Sequence, residues 1–163
     1  MSDGQRLRYM ELAPEGMGAL SGVEHALNTA SCLPPVLLEL VRLRASLMNG
    51  CEYCVGLHTS ELRKHHEPVG RIDGVARWRK SDAYTQRERA ALRWAEVVTD
   101  IQNGHASDAE FAAVKEHFSD VEVVQLTLAV ASINAWNRMA IAFRPQWRAR
   151  VADDDGGKVE VEE

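Results

Sequence analysis

The stretch "ELVRLRASLMNGCEYCVGLH", residues 39–58, reads as helix, break, helix. Asn49 and Gly50 both tolerate the left-handed backbone that ends a helix, so Cys51 stands at or just inside the start of the next one. At 100° per residue, Cys51, Cys54, His58, Glu61, Leu62 and His65 fall within one sector of about 100°. Cys54 and His58 are one turn apart, near enough for their side chains to meet directly or through one water. The two sulfurs, at the first turn of a helix, are placed to form a disulfide with little rearrangement.

Outward from this stretch, a helix-start signature occurs four times: Ser or Thr followed three residues later by Glu. The pairs are Ser21–Glu24, Thr85–Glu88, Ser107–Glu110 and Ser119–Glu122. In each, the hydroxyl can accept from a free N–H of the first turn while the glutamate reaches back to the N–H of the cap residue. Apolar residues at helical spacing follow every one, so the expected fold is all-α. Helices are predicted at 22–30, 36–48, 51–65, 86–100, 108–118 and 120–143, with a further short one in "DGVARWRKSDAY" (73–84), where Trp78 packs down. That makes a bundle of six to seven helices. Pro34 and Pro35 start the second at a position where a missing N–H costs little, and Pro145 closes the last. No stretch shows strand alternation, no repeat is evident, and residues 1–150 read as one helical domain.

The chain has 163 residues, 45% of them hydrophobic and 26% charged, an ordinary globular composition. Its net charge of −5 falls entirely in residues 151–163, an acidic tail expected to be disordered. A body balanced at 18 basic and 18 acidic residues argues against a nucleic-acid surface, which needs clustered positive charge. The opening "MSDGQRLRYM" lacks the apolar run of an export signal. The apolar stretch 123–143 is interrupted by Gln125, Ser132, Asn134, Asn137 and Arg138, which speaks against a membrane span. The expectation is a cytoplasmic protein. In that reducing setting a close cysteine pair points to redox or metal chemistry before structural stapling.

Helix N-terminal N–H groups and a nearby imidazole both favour a thiolate. A thiolate that attacks a peroxide oxygen becomes a sulfenic acid, and a neighbouring thiol condenses with it to a disulfide. One cysteine, a base and a resolving cysteine are the minimum parts for a recyclable thiol peroxidase. By helix position alone, Cys51 is the more acidic thiol. Two other readings of the same residues stand beside this one. The pair could be packed as small hydrophobes. Alternatively Cys51, Cys54 and His58 could supply three zinc ligands, although no fourth is evident. A thioredoxin-type module needs a β-α-β context that the chain lacks.

The spacing Glu39, eleven residues, Cys51, two, Cys54, three, His58 resembles the alkylhydroperoxidase D (AhpD-like) branch of the carboxymuconolactone decarboxylase family. The stretches "YTQRERAALRWAEVVTD", "HFSD" and "INAWNRMAIAFRP" are similar to single-domain members of that group, and the likeness covers most of residues 20–145. The resemblance implies an AhpD-like helical fold assembling as a homo-oligomer, a trimer or hexamer. It implies that Cys54 reacts with peroxide, that Cys51 is proton donor and resolving partner, and that His58 and Glu39 form the relay that helps deprotonate the thiol. On its own helix Glu39 shares a polar strip with Arg42 and Ser46, and by itself reads as a solvated acid or salt-bridge partner. One departure is Tyr53, where the best-known alkylhydroperoxidases carry histidine immediately before the second cysteine. Family members that decarboxylate lactones lack the cysteine pair, so that reaction is not expected.

The expected function is therefore reduction of hydroperoxides through a Cys51–Cys54 dithiol/disulfide cycle. A dithiol or thioredoxin-like reductant restores the thiols, and the scheme requires no metal or organic cofactor. A non-enzymatic redox sensor and a zinc-stabilised bundle are the alternatives. Among the remaining residues, the apolar positions of the last helix spread around much of its circumference, which suggests a second buried face in a homo-oligomer. His65-His66 reads as a solvated helix end, with His65 sharing the cysteine face, and Cys32 reads as a packed thiol. Trp94 and Trp136 read as core or interface residues. Arg138 reads as a salt-bridge partner or a pocket residue.

Overall fold

The computed structural model describes residues 4–147, and the acidic tail expected at 151–163 lies outside them. The described residues hold eight α-helices: α1 (Tyr9–Leu12), α2 (Pro14–Ala30), α3 (Pro35–Asn49), α4 (Glu52–Lys64), α5 (Val69–Gly74), α6 (Gln86–Thr99), α7 (Asp108–Lys115) and α8 (Asp120–Phe143). Short 3₁₀ segments lie at Val75–Lys80 and Ile101–Asn103. No strand occurs among these residues. The expected six to seven helices are exceeded because α1 and α5 are only four and six residues long. Sequences that short carry no periodic signal of their own.

The organising element is α3. It packs against α4, α6 and α8, and its residues Leu37 to Leu43, with Ala45 and Ser46, are all buried. Leu38 and Val41 join Leu27, Trp94, Leu126 and Val130 in one apolar cluster. Leu40 and Leu43 join Leu62, Val75, Trp78 and Leu92 in a second. Ala45 joins Cys51, Cys54, Ile133 and Ala140 in a third. A helix buried on most sides is largely apolar, and α3 departs from that along the buried strip Glu39, Arg42, Ser46 and at the part-buried Arg44, which pairs with Glu96.

Two of the four expected caps close in both directions. Thr85 and Glu88 exchange hydrogen bonds at the start of α6, and Ser119 and Glu122 do so at the start of α8. At α7 only half the motif forms: Ser107 accepts from the Glu110 N–H, but the Glu110 carboxylate pairs with Arg93. The Ser21–Glu24 expectation is overturned. The helix begins at Pro14, whose ring presets the helical φ, and Ser21 lies in its middle. Glu24 instead reaches across to Ser132 and to Arg42. Pro34 and Pro35 do open α3, and Gly50 closes it with φ 67°. Trp78 packs inward, with its Nε1–H donating to Glu96 at 2.8 Å.

On α8, Val123, Leu126, Val130 and Ile133 face the core, while Val121, Val124, Leu128 and Ile141 are exposed. No helix among the described residues is long and apolar enough to cross a membrane. Cys32, expected to be packed, is exposed in the turn between α2 and α3, where its thiol lies 3.0 Å from the Gln125 side-chain oxygen. A two-proline turn leaves it no helix face to pack against. Arg138 is also exposed, and among the described residues it forms no ion pair and lies outside the cavity that Cys54 and His58 border. It donates to the Asn134 carbonyl at 2.8 Å, one turn back on its own helix.

Glu96 gathers the second apolar cluster. The buried carboxylate accepts from Arg44 Nε at 2.8 Å, from Trp78 Nε1 at 2.8 Å and from Arg79 Nη1 at 2.9 Å. Burial disfavours its charge, but the hydrogen bonds from Arg79 and Trp78 and the charges of Arg44 and Arg79 outweigh that, holding its pKa below 4.5. Glu96→Ala leaves these donors without their acceptor and should cost about 3–5 kcal/mol in urea unfolding at neutral pH. The ionised carboxylate contributes its full stability above its unfolded-state pKa and loses it as pH falls through the lower folded-state pKa. The gap between wild type and variant should therefore narrow below pH 4.5.

Candidate active site

Gly50 sets the geometry of the cysteine pair. Its left-handed backbone ends α3, and the N–H of Cys51 turns back to the Ser46 carbonyl at 3.0 Å. Cys51 then serves as N-cap of α4, with its sulfur accepting from the Cys54 N–H at 3.3 Å. The two cysteines are joined as a disulfide, with Cα atoms 5.3 Å apart, inside the ordinary range for such bridges. Both are buried among Ala45, Ile133 and Ala140. Their environments nevertheless differ. Cys54 lines a cavity of about 730 Å³, and Cys51 does not.

One turn further along α4, His58 lines the same cavity. Its Nδ1 lies 2.7 Å from Glu39 Oε2 on α3. Glu39 is buried, and its other oxygen accepts from Arg42 Nη1 at 2.6 Å. Arg42 is only 2% exposed, and it reaches Asn28 Oδ1 at 3.0 Å and Glu24 Oε2 at 2.7 Å. The result is a continuous chain of paired polar side chains, Glu24–Arg42–Glu39–His58, running from α2 through α3 to α4. Desolvation raises the pKa of Glu39. The hydrogen bond and charge of His58 and the charge of Arg42 act in the other direction and win, so the group stays below 4.5.

An ionised carboxylate has no proton to donate, so the Nδ1 of His58 must carry the hydrogen of this bond. That fixes the tautomer and leaves Nε2 as the basic nitrogen. Nε2 is buried and has no hydrogen-bond partner among the described residues. The four residues singled out from the sequence, Glu39, Cys51, Cys54 and His58, thus come together where α3 meets α4. The solvated-acid reading of Glu39 does not hold, because the strip of α3 that carries it is buried.

The cavity wall is mainly apolar, from Leu27, Leu33, Leu38, Leu57, Ile133 and the half-buried Trp136. Tyr9, Tyr53, Glu61 and His65 add polar edges. His65 ends α4 and lines the cavity, while His66 points to solvent with φ 60°. Trp94 is a core residue bonded through Nε1 to Thr127 at 2.9 Å, whereas Trp136 is a wall of the cavity. Among the described residues, no group of three or more His, Cys, Asp and Glu side chains is arranged to hold a metal ion. Glu24 and Asn28 went unsuspected in the sequence. They lie on a helix whose contact with α3 has no local signature.

The carboxymuconolactone decarboxylase family model matches residues 14–97. An uncharacterized protein of Bacillus subtilis strain 168, YdfG, is 38% identical over 139 residues, covering 85% of this chain and 94% of its own. A crystal structure from Agrobacterium tumefaciens is 38% identical with a TM-score of 0.85, covering 88% of this chain and 98% of that one. It is described as a protein of unknown function and a candidate antioxidant defence protein, AhpD. An alkylhydroperoxidase AhpD core from Ralstonia eutropha JMP134, described as an uncharacterized peroxidase-related protein, is 28% identical with a TM-score of 0.74. That match covers 84% of this chain and 74% of the other.

Arg42 neutralises two carboxylates, and one of them is enclosed. Arg42→Met should therefore destabilise the fold by about 3 kcal/mol at neutral pH, because it leaves Glu39 a buried charge with only His58 beside it. In the wild type the ionised Glu39 stabilises the fold above its unfolded pKa and loses that contribution as pH falls through its lower folded pKa. The deficit of the variant should be largest above pH 4.5 and shrink below it, as read from urea unfolding at both ends of that range.

Proposed function

The chain belongs to the carboxymuconolactone decarboxylase family, and from that premise we propose that it is a thiol-dependent peroxidase of the AhpD-like type. The observation that carries the reading is that Cys54, bridged to Cys51, borders a cavity also lined by His58, whose tautomer is fixed by a buried carboxylate. In the reduced protein, His58 takes the proton of the Cys54 thiol, directly or through one water. The thiolate attacks the terminal oxygen of a hydroperoxide ROOH, the O–O bond breaks, and the departing alkoxide takes the proton back to leave as ROH. Cys54 is then a sulfenic acid. The Cys51 thiol attacks its sulfur, water leaves, and the disulfide forms.

An external dithiol or thioredoxin-like partner returns two electrons and two protons. The net reaction converts hydroperoxide to alcohol and water. Glu39 acts through His58, holding the imidazole in place through the bond to Nδ1. A mainly apolar cavity suits an organic hydroperoxide. A reducing, cytoplasmic setting is part of the reading, since the disulfide must be returned to thiols in every cycle.

Assembly into a homo-oligomer belongs to the same proposal. Val121, Val124 and Leu128 form an exposed apolar stripe along the N-terminal third of α8 among the described residues, and a second copy would bury it. Sedimentation velocity should give a trimer or hexamer, and a monomer at micromolar concentration would remove this part of the reading.

Consumption of an organic hydroperoxide with dithiothreitol as reductant tests the chemistry. Cys54→Ser should abolish turnover, and His58→Ala should reduce it by about 10²-fold, the ordinary worth of a general base. Equal turnover in wild type and Cys54→Ser would refute the peroxidase reading. Negligible turnover in wild type, with a change of oligomer size on oxidation, would favour a redox sensor.

A further inference from the structure

The first turn of α4 has a second face, turned away from the chemistry described so far. Beyond Phe143 the chain leaves α8 through Arg144, whose φ is 54°, and Pro145. It is held there by the N-terminal segment: the Arg6 N–H donates to the Phe143 carbonyl at 2.8 Å, and the Arg6 guanidinium donates to the Ala142 carbonyl at 3.1 Å. Tyr9 stacks on Phe143 with ring centres 5.4 Å apart. So anchored, residues 144–147 bring Trp147 onto α4. Its indole stands edge-on to the ring of Tyr53, with centroids 5.6 Å apart and planes at 89°.

Position 56 is what makes room for it. Tyr53 and Gly56 are three residues apart and share a face of α4. A methyl group on Gly56 would overlap Cδ1, Nε1 and Cγ of Trp147. Gly56 has ordinary helical backbone, so nothing about its own conformation calls for glycine, and glycine inside a helix costs stability relative to alanine. The close approach of the indole accounts for its presence. Trp147 does not line the cavity, but Tyr53, next to Cys54 in sequence, does.

We propose that Trp147 is a positioning residue that sets the size selectivity of the site: seated on Gly56, it holds the Tyr53 ring in the cavity wall beside Cys54 and so limits what can approach the sulfur. The proposal rests on the peroxidase reading only in taking Cys54 as the thiol approached from the cavity. With the indole gone, the phenol can swing into the vacated notch and the wall beside Cys54 opens. The residue that narrows the approach is therefore far from the motif in sequence, and Tyr53 transmits its effect.

Thiol alkylation tests this without depending on peroxide turnover. In a Cys32→Ser background, the reduced full-length chain is treated with iodoacetamide or with the bulkier N-phenylmaleimide, and modification of Cys54 is followed by peptide mass spectrometry. Trp147→Ala should raise the bulky-to-small rate ratio about five-fold, the scale that one aromatic edge contact can set. Gly56→Ala, which displaces the indole, should raise it equally, and the double variant no further. Trp147→Phe, which keeps an aromatic edge, should stay within about two-fold of wild type. An unchanged ratio in Trp147→Ala, or effects that multiply in the double variant, would overturn the proposal. Failed peroxide turnover with the expected alkylation ratios would refute the peroxidase reading and leave the clamp standing.

Discussion

The enclosure of α3 is the constraint on which the rest of the structure depends. A helix surrounded by three others can carry polar residues only if each finds a partner, because an uncompensated buried charge costs several kcal/mol. Glu39, Arg42 and Ser46 lie along one strip of α3, and each partner they find fixes a neighbouring helix. Arg42 draws Glu24 and Asn28 from α2. Glu39 draws His58 from α4. Ser46 accepts from Asn137 of α8 at 3.0 Å, and Asn49, at the end of α3, reaches Asn137 and Asn134 at 2.8 and 2.9 Å. Apolar packing would tolerate small slips of these helices past one another, but a paired charge and a directional hydrogen bond do not. The pairs that hold the bundle in register also fix the histidine against its carboxylate.

How much of this could be read from the sequence follows the range of each interaction. The starts of α6 and α8 were legible because a capping box is closed by residues three apart, and Thr85–Glu88 and Ser119–Glu122 need nothing from elsewhere. The same pattern at Ser21–Glu24 misled, because Glu24 is claimed by Arg42 and Ser132 from other helices. Ser107–Glu110 is intermediate: the local half formed, and the carboxylate went to Arg93. In the site, Cys51, Cys54 and His58 were legible as one helix face. Glu39 lies on another helix, and its burial depends on how three neighbours enclose α3. Nothing within its own helix distinguishes it from a solvated acid except that Arg42 and Ser46 share its strip. Gly56 and Trp147 are 91 positions apart in the numbering and carry no shared pattern at all.

Helix α4 is asked to do different things on its two faces. Toward the cavity it presents Cys54, His58, Glu61 and His65, at intervals that keep them in line. Toward the C-terminal segment it presents Tyr53 and Gly56, against which Trp147 packs. Tyr53 belongs to both faces, lining the cavity and touching the indole. A substitution behind the helix can therefore alter the front without touching any residue of the motif.

Two physical effects bear on which thiol attacks, and they point in opposite directions. Cys51, as N-cap, is nearest the positive end of the α4 dipole, an effect worth about 0.3–1 kcal/mol for an adjacent negative charge. Cys54 lies one turn along, within the first turn of the helix, so it keeps part of that benefit. Access acts on a different scale. Cys51 is 1% exposed and does not border the cavity, so a substrate there would reach it only through a rearrangement of packed side chains. Cys54 borders the cavity, and His58 is on the same face one turn further on. A base on the right side contributes about 10²–10⁴-fold to a proton transfer, more than the dipole difference can offset. The peroxidase reading therefore assigns attack to Cys54 and leaves Cys51, buried beneath it and already within bonding reach, the one step that needs no access to substrate: closing the disulfide.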